Sequence, residues 1–422
     1  MNRLLPLLIF LLFAVRSAPA QRVSVLAERP DWGRLEAFQE TITRGEFARL
    51  LETVYAPGEA AKGLVDVEPE GVRIKVALTP PTDFLLRFAE DTPSAKKVPR
   101  AWRPASALGR APKGKPLAGM KIAIDPGHLG GAWARMEERF FQIGDSAPVK
   151  EGDMTLRVAE LLAPQLKKLG AEVTLLRTSL EPTTPDRPET LRDAAREELT
   201  RLGVATPHDT YDPAQIDDPK RGESVQWQSE ILFYRISEIR HRAQVVNEKL
   251  RPDLVLCLHF NAEAWGGDPT KPEFVPRNHL HLLVNGSYSA GELRNDDVRF
   301  EMLLKLLSRS YPEELAASET VATVLAGATH LPPYAYTTPN AVRVGATPYV
   351  WARNLLANRL YRAPVLFLEP YVMNSQEVWE RVQLSDYEGW KLSAGALRKS
   401  IYREYADAVA EGLREHYEKA RR

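Results

Sequence analysis

Cysteine is almost missing from this chain, because Cys257 is the only one among 422 residues. A single thiol cannot form an intramolecular disulfide, which excludes a small cysteine-rich secreted scaffold. Stability must therefore come from an ordinary hydrophobic core, and a chain of this length has enough residues to build one. Within the run Val-Leu-Cys-Leu we interpret Cys257 as a small buried hydrophobic residue, with a role as a metal ligand as the alternative.

The chain also lacks a net charge, since 56 basic side chains balance 56 acidic ones. No overall field would draw it to nucleic acid or to an anionic lipid surface, so nucleic acid is not expected as a partner. After the N-terminus no hydrophobic run reaches the ~20 residues of a transmembrane helix. Any partner must therefore be recognised by a local site.

The N-terminus has a short apolar run from Leu4 to Val15, preceded by Met1-Asn2-Arg3 and followed by Ala18-Pro19-Ala20. A basic start, a short apolar segment and small residues two apart are typical of a secretory signal peptide. We expect residues 1–20 to be removed and the rest of the protein to be exported. An uncleaved anchor or an N-terminal core helix is the alternative.

Composition divides the remaining chain into three regions. Residues 21–100 are predicted to form a small α+β accessory module, and residues 101–116 have the Pro-, Ala-, Lys- and Gly-rich composition of a linker. The main domain covers 117–422. It is interrupted by insertions near 178–232 and 264–278, and insertions of such length are often functional.

The main domain has the pattern of an α/β fold. Lys121 to Ile124 is predicted to be a strand, a Leu-rich helical segment follows, and Ala171 to Arg177 is predicted to be the next strand; short joints of this kind indicate a parallel sheet. Residues 386–420 are predicted to form a long terminal helix. In the accessory module, a helix is predicted from Asp31 to Tyr55, and two strands that follow it should end at Pro80-Pro81.

Three predicted strands end in, or lead into, residues that bind metals or transfer protons: His128, His259 and Glu369. Glu151 opens the helix beside them. Residues at the carboxyl ends of neighbouring strands converge without being close in sequence. Two imidazoles and one carboxylate form a catalytic zinc set, and the remaining carboxylate would be free to move protons.

The run from 121 to about 385 resembles the zinc-dependent N-acetylmuramoyl-L-alanine amidases that trim bacterial cell wall, and several ordered motifs make this match specific. The matching segments are Ile122-Ala-Ile-Asp-Pro-Gly-His128, Glu151 with its Leu-rich helix, Val173-Thr-Leu-Leu-Arg177, Arg242-Ala-Gln-Val-Val-Asn247, Cys257-Leu-His259-Phe-Asn261, Arg353-Asn354-Leu355 and Pro364-Val-Leu-Phe-Leu-Glu369.

The resemblance implies an α/β fold with a six-stranded, mostly parallel (mixed) sheet between helices. It implies that His128, Glu151 and His259 hold Zn2+ and that Glu369 is the catalytic acid–base. The bond cut would be the amide between the lactyl group of N-acetylmuramic acid and L-alanine of the stem peptide. Peptidoglycan or muropeptides would be the substrate, in the periplasm or outside a bacterial cell.

The sequence departs from the family pattern at three places. Leu129 replaces a common glycine, Phe260 stands where a small residue is usual, and Asn374 lies one residue closer than usual to the catalytic glutamate. Because of these departures, the sequence does not determine the shape of the substrate groove. Arg353 and Asn261 are candidate substrate-binding residues, with structural or solvated roles equally open.

Two classes of function remain. One is an exported zinc amidase acting on peptidoglycan or on free muropeptides, and the other is a non-catalytic peptidoglycan-binding or regulatory protein on the same fold. A protein activator is a further expected partner, because the insertion at 178–232 has the length and composition of a flap that could cover the site until a partner displaces it.

Overall fold

The computed structural model describes residues 22–78, 80–213, 218–265 and 273–422. The predicted signal peptide, 1–20, lies outside the described residues. Part of the second predicted insertion also lies outside them.

Strands occur along the whole described chain, from the accessory region to the residues before the terminal helix. They are β1 (Val65–Val67), β2 (Gly71–Leu78), β3 (Pro81–Arg87), β4 (Lys121–Pro126), β5 (Phe140–Phe141), β6 (Val149–Lys150), β7 (Glu172–Leu175), β8 (Leu254–Leu258), β9 (Leu280–Val284), β10 (Ala341–Arg343), β11 (Val350–Arg353), β12 (Val365–Pro370), β13 (Lys391–Ser393) and β14 (Ala396–Arg398).

Helices alternate with these strands, and none of those described combines the length and apolar character needed to cross a membrane. The α-helices are α1 (Arg44–Leu50), α2 (Glu151–Lys168), α3 (Arg192–Arg201), α4 (Val225–Ile231), α5 (Glu238–Gln244), α6 (Ala290–Leu293), α7 (Asp296–Ser308), α8 (Ser310–Thr329), α9 (Leu356–Leu360), α10 (Gln376–Gln383) and α11 (Ile401–Ala420). The π-helical segments Leu51–Tyr55, Leu232–Ser237 and Val245–Leu250 continue α1, α4 and α5, and 3-10 turns lie at Trp32–Phe38, Ala105–Ala107, Pro188–Leu191 and Arg221–Glu223.

A seven-stranded mixed sheet forms the centre of the main domain, in the order β10-β11-β9-β12-β8-β4-β7. Strands β7, β4, β8 and β12 are parallel to one another, while β9 runs antiparallel to β12 and parallel to β11. The predicted α/β class with a mostly parallel, mixed sheet is confirmed. The predicted number of six strands is wrong, because the short strand β10 pairs with β11 and adds a seventh strand at one side of the sheet.

Helices cover both faces of this sheet. Helices α2, α8 and α11 pack together on one face, and α5 and α9 lie on the other. The central strand β8 is buried along its whole length, as expected for a parallel strand covered on both faces. Because β4, β8 and β12 are parallel, their carboxyl ends lie at one edge of the sheet, where His128, His259 and Glu369 are found.

The accessory region contains a three-stranded antiparallel sheet and the helical segments that precede it. The two predicted strands end before Pro80-Pro81, as expected, but a third strand that was not predicted, β3, begins at Pro81, a position where the missing N–H of proline is tolerated. The single predicted helix over 31–55 is interrupted, since Thr43 caps a new helix by accepting the backbone N–H of Glu46. A separate module at 21–100, joined by a linker at 101–116, stays a prediction.

Contacts between the accessory region and the main domain are close. The backbone N–H groups of Ser287 and Tyr288 donate to the carbonyls of Val54 and Tyr55, both at 2.7 Å. Hydrophobic side chains from both regions belong to one continuous cluster. The two regions therefore share a core.

The first insertion packs on the main domain through a cluster of its own. Within it, the 3-10 turn Pro188–Leu191 leads directly into α3. Leu129 is fully buried in this cluster. The other buried members are Leu191, Ala195, Leu199, Val225, Leu232, Phe233 and Tyr234. A glycine at 129 could not fill this space, so the departure from the family pattern has a packing reason.

The predicted terminal helix over 386–420 is wrong at its start. Residues 391–398 form the hairpin β13–β14, and α11 begins only at Ile401. Gly389 and Gly395 both have φ of +75°, a conformation that interrupts a helix and that glycine adopts without strain.

Candidate active site

The turn after β4 brings the first two candidate histidines together. The N–H of Gly127 donates to the carbonyl of Leu258, the last residue of β8, at 2.9 Å. A Cβ atom at position 127 would lie 2.3–2.6 Å from ring atoms of His259, so only glycine leaves room for that ring. On its other side the His259 ring stacks on Phe367, with centroids 4.3 Å apart. The ring of His259 is thus held between the Gly127 turn and strand β12.

The three predicted metal ligands converge at this edge. His128 Nε2 lies 3.3 Å from Glu151 Oε2, and His259 Nδ1 lies 3.2 Å from Glu151 Oε1. One ligand atom from each residue falls within 4.8 Å of the others. Glu151 is the first residue of α2 and is 2% exposed, and its Oε1 also accepts the backbone N–H of Phe260 at 3.1 Å.

The two distances from the histidines to Glu151, each measured to a different carboxylate oxygen, are close to the spacing between ligand atoms around a zinc ion. Bonds of about 2.0–2.1 Å from zinc to nitrogen and oxygen place neighbouring ligand atoms roughly 3.3 Å apart. Burial alone would raise the pKa of Glu151, but the charges of His128, His259 and Arg139 and the hydrogen bond with His259 outweigh it and lower that pKa to about 2. The carboxylate is therefore ionised at neutral pH, as a ligand must be.

A cationic side chain already lies against this group. Arg139 Nε is 3.2 Å from Glu151 Oε2 and 3.4 Å from His128 Nε2. Two neutral imidazoles and one carboxylate together carry one negative charge, and the positive charge of Arg139 balances it. No sequence motif marks this arginine, which comes from the loop between β4 and β5.

Glu369, the predicted acid–base, lies near the end of β12, directly opposite His281 on β9. It is partly buried, and among the described residues no group donates a hydrogen bond to its carboxylate. Burial raises its pKa to about 7, against the opposing charges of His259, Arg139 and Arg353. A dication held by the neighbouring ligands would stabilise the carboxylate and lower that pKa.

The two candidate substrate-binding residues have different surroundings. Arg353 ends β11, donates to the hydroxyl of Tyr336 at 3.2 Å, and lies close enough to Glu369 for its charge to lower the pKa of that carboxyl. Asn261 accepts the N–H of Ala262 with its own side chain at 2.7 Å, and its backbone bonds Tyr371. Arg353 therefore faces the centre of the site, whereas Asn261 shapes the loop after His259.

No protein-family model matches the sequence, and no curated protein matches it. Several solved structures that this chain resembles are N-acetylmuramoyl-L-alanine amidases. The enzyme from Mycobacterium smegmatis is 15% identical over 72% of this chain and 99% of its own, with a TM-score of 0.37. The amidase CwlD from Clostridioides difficile, in complex with the GerS lipoprotein, is 11% identical over 71% and 98%, also with a TM-score of 0.37. AmiC2 of Nostoc punctiforme is 14% identical over 70% and 96%, with a TM-score of 0.34. At these identities and TM-scores the likeness assigns no substrate and no residue role to this chain.

The sequence did not predict a hydrogen-bonded chain beside Glu369 that runs from Arg353 through Tyr336 to His281. Arg353 can only donate, so the single hydroxyl proton of Tyr336 is free to go to His281 Nε2, 3.1 Å away. Burial lowers the pKa of His281 to about 3, so its ring is neutral at neutral pH. Tyr336 lies in a loop without a recognisable pattern, and only the alternation of His279 and His281 along a strand hinted at this contact.

The other departures from the family pattern are accounted for by packing. Phe260 is buried in the core against Tyr405, with ring centroids 5.5 Å apart. The side chain of Asn374 bonds both the N–H and the carbonyl of Glu263. Cys257 is fully buried and is not one of the residues grouped around the candidate metal position, which supports its interpretation as a core residue.

A buried ion network holds the turn that carries His128. Arg242 donates to Asp125 Oδ1 at 2.7 Å, to Glu238 at 2.8 Å and to the carbonyl of Pro126 at 3.0 Å. The hydroxyl of Tyr361 donates to the other oxygen of Asp125 at 2.5 Å. This network fixes the end of β4 from below the site.

Replacing Arg242 by methionine should therefore destabilise the fold strongly. Two buried carboxylates would lose their cation, and breaking a buried pair in this way costs about 3–5 kcal/mol. Denaturant unfolding of the metal-free protein measures the loss. Arg196→Met is the control, because Arg196 pairs only with exposed carboxylates and should cost less than about 1 kcal/mol. Equal costs for the two variants would contradict the structural role of Arg242.

Proposed function

We propose that this protein is an exported zinc-dependent hydrolase that cleaves the amide bond between the lactyl group of N-acetylmuramic acid and L-alanine in peptidoglycan. The observation that carries the proposal is the meeting of His128, Glu151 and His259, from three separate segments, beside Glu369. The motifs around these residues resemble those of zinc-dependent amidases and indicate which reaction we propose. Release of residues 1–20 as a signal peptide would place the enzyme in the periplasm or outside the cell.

In this mechanism His128, Glu151 and His259 would hold the metal ion. When bound, zinc supplies Lewis acidity that lowers the pKa of water to about 7 and polarises the amide carbonyl. Glu369 accepts the proton of the attacking water and returns it to the amine of L-alanine, which is a poor leaving group until it is protonated. The free lone pairs of Glu369 suit this role, because no described residue occupies them.

Arg353 is proposed to bind the substrate. Its guanidinium is held beside Glu369 by Tyr336, and a fixed cation there can bind a carbonyl or carboxylate oxygen of the stem peptide. A protein activator would act most directly on the insertion at 178–232. That insertion packs on Leu129, so its displacement would reach His128 through the adjoining backbone.

A non-catalytic peptidoglycan-binding protein on the same fold is the alternative. Such a protein would bind peptidoglycan without needing a residue that transfers protons. A partly buried carboxylate without a hydrogen-bond donor lowers stability and brings nothing to a binding protein. Glu369 therefore favours catalysis over binding alone.

Metal removal tests the proposal. Purified protein incubated with peptidoglycan should release stem peptides with a free N-terminal L-alanine, detected by mass spectrometry. A chelator should abolish the release, and added zinc should restore it. Release that persists after complete chelation would contradict the metal-dependent mechanism. Binding of zinc and peptidoglycan without any release would favour the alternative.

A further inference from the structure

Glu137 is a buried acidic residue that neither the motifs nor the proposed reaction uses. It lies in the loop between β4 and β5 and is 3% exposed. Its backbone N–H donates to the carbonyl of Trp133 at 3.1 Å, within a compact turn. Burying a carboxylate is costly unless hydrogen bonds compensate it, so the partners of this side chain matter.

Both carboxylate oxygens of Glu137 point at the residues that follow the Gly127 turn. Each oxygen lies 3.0 Å from the backbone N–H of Leu129, which donates to the pair. Oε2 also lies 3.4 Å from Nδ1 of His128. The opposite ring nitrogen, Nε2, is the one that lies 3.3 Å from Glu151 Oε2. The ring of His128 is therefore placed between two carboxylates, one at each nitrogen.

This arrangement decides the protonation of a neutral His128. The two carboxylates only accept hydrogen bonds and so do not choose between the nitrogens by themselves, but Arg139 Nε can only donate, and it donates to Nε2 at 3.4 Å. Nε2 therefore carries the lone pair, and Nδ1, next to Glu137, should carry the proton. A metal ligand needs that lone pair on the side of Glu151 and His259. Histidine ligands commonly donate their second N–H to a carboxylate, which fixes the tautomer, orients the ring and strengthens the ligand.

We infer that Glu137 is a positioning residue that holds His128 in its Nδ1–H tautomer, with Nε2 directed at the metal. The inference rests on the proposed metal-dependent function and adds a residue to it. Glu137 acts through His128 and does not touch substrate. The hydrogen bond from the Leu129 N–H holds the Glu137 carboxylate in place. Because the side chain of Leu129 packs against the first insertion, the orientation of His128 also depends on that packing.

The tautomer can be measured without any variant. Nitrogen-15 NMR of labelled, metal-free protein, at a pH above the ordinary histidine pKa of ~6.5, distinguishes a protonated Nδ1 from a protonated Nε2. We expect His128 to carry its proton on Nδ1, with its resonance assigned by loss in His128→Gln. A protonated Nε2 would overturn the inference, whether or not the protein proves to be an amidase.

Glu137→Gln tests the effect on the metal. Glutamine keeps an acceptor for the N–H of Leu129 but loses the charge, so we expect zinc affinity to fall by about 10- to 100-fold. Competition with a chromophoric chelator measures the affinity without any assay of activity. The His128 tautomer should become mixed in the same variant.

The matched control is Glu138→Gln. Glu138 is the next residue, and its carboxylate pairs with Arg221 at 2.6 Å on the surface, away from His128. The Glu138→Gln variant should bind zinc with the same affinity as the unchanged protein. Equal zinc affinity in Glu137→Gln and Glu138→Gln would overturn the inference. Failure of the unchanged protein to bind zinc would contradict the proposed function instead, and the tautomer would still be decided by NMR.

Discussion

Glu369→Gln is expected to lower kcat/KM for amide cleavage by about 10²- to 10⁴-fold, the usual contribution of a positioned general acid–base. Glutamine has nearly the same shape as glutamate but cannot carry a proton from water to the leaving amine. Because Glu369 is not one of the three grouped ligands, zinc affinity should change little. Initial rates on a defined muropeptide and chelator competition measure the two quantities separately.

Glu388→Gln serves as the control for this variant. Its side chain is 86% exposed and lies 3.6 Å from Arg403, so neither rate nor affinity should change. If Glu369→Gln lost zinc to the same extent as activity, Glu369 would have to be treated as a ligand. If it kept full activity, the proton-transfer role would be wrong.

The strand-end motifs predicted the centre of the site because the fold makes sequence-distant strand ends meet. His128, Glu151 and His259 lie in segments with a strong pattern of their own, and a parallel sheet brings such segments to one edge. That physical rule is independent of the loops between them. It is the reason that a set of residues spread over more than a hundred positions could be grouped from sequence.

The residues that sequence reasoning missed all come from loops or act through geometry. Glu137, Arg139 and Tyr336 lie in segments without periodicity, and only the folded chain brings them to the site. Which groups these three side chains contact depends on the path of the loop backbone over a few residues. Loop conformation is the least determined part of a sequence pattern, so no motif could have identified them.

The error at the C-terminus has a different cause. The apolar spacing of 397–413 favours a helix throughout, but Gly389 and Gly395 allow a positive φ that turns the chain into a hairpin first. As a result Trp390, Leu392 and Leu397 lie exposed rather than against the sheet. Periodicity alone therefore overestimated the length of the helix, and the glycines gave the better signal.

The other large effect is expected for Glu151→Gln. The variant keeps an acceptor for the N–H of Phe260 but removes the negative charge that both histidines contact and that is proposed to bind the metal. If a binding free energy of about 10–16 kcal/mol is distributed over four ligands, one ligand contributes roughly 3 kcal/mol. Zinc affinity should therefore fall by about 100-fold or more, and activity at limiting zinc should fall with it.

Glu160→Gln is the matched control in the same helix. Glu160 is exposed and pairs with Arg157 at 3.0 Å, so its replacement should leave zinc affinity unchanged. Chelator competition on both variants measures the difference. An affinity within a few-fold of the unchanged protein for Glu151→Gln would show that this carboxylate does not bind the metal.

The metal-free protein adds a pH dependence whose sign follows from two pKa shifts. The pKa of Glu151 is lowered from 4.5 to about 2, so its contribution to stability is present above about pH 4.5 and is lost as pH falls through about 2. The hydrogen bond with Glu151 raises the pKa of His259 above 6.5 despite burial, so this contribution is present below pH 6.5 and is lost as pH rises through the raised value. Both contributions coincide between about pH 4.5 and 6.5. Glu151→Gln should therefore lose the most stability between these pH values. Denaturant unfolding at several pH values, with Glu160→Gln measured in parallel, gives the free energy of unfolding of each variant. The difference between the unchanged protein and Glu151→Gln should be smaller below pH 4.5 and above pH 6.5.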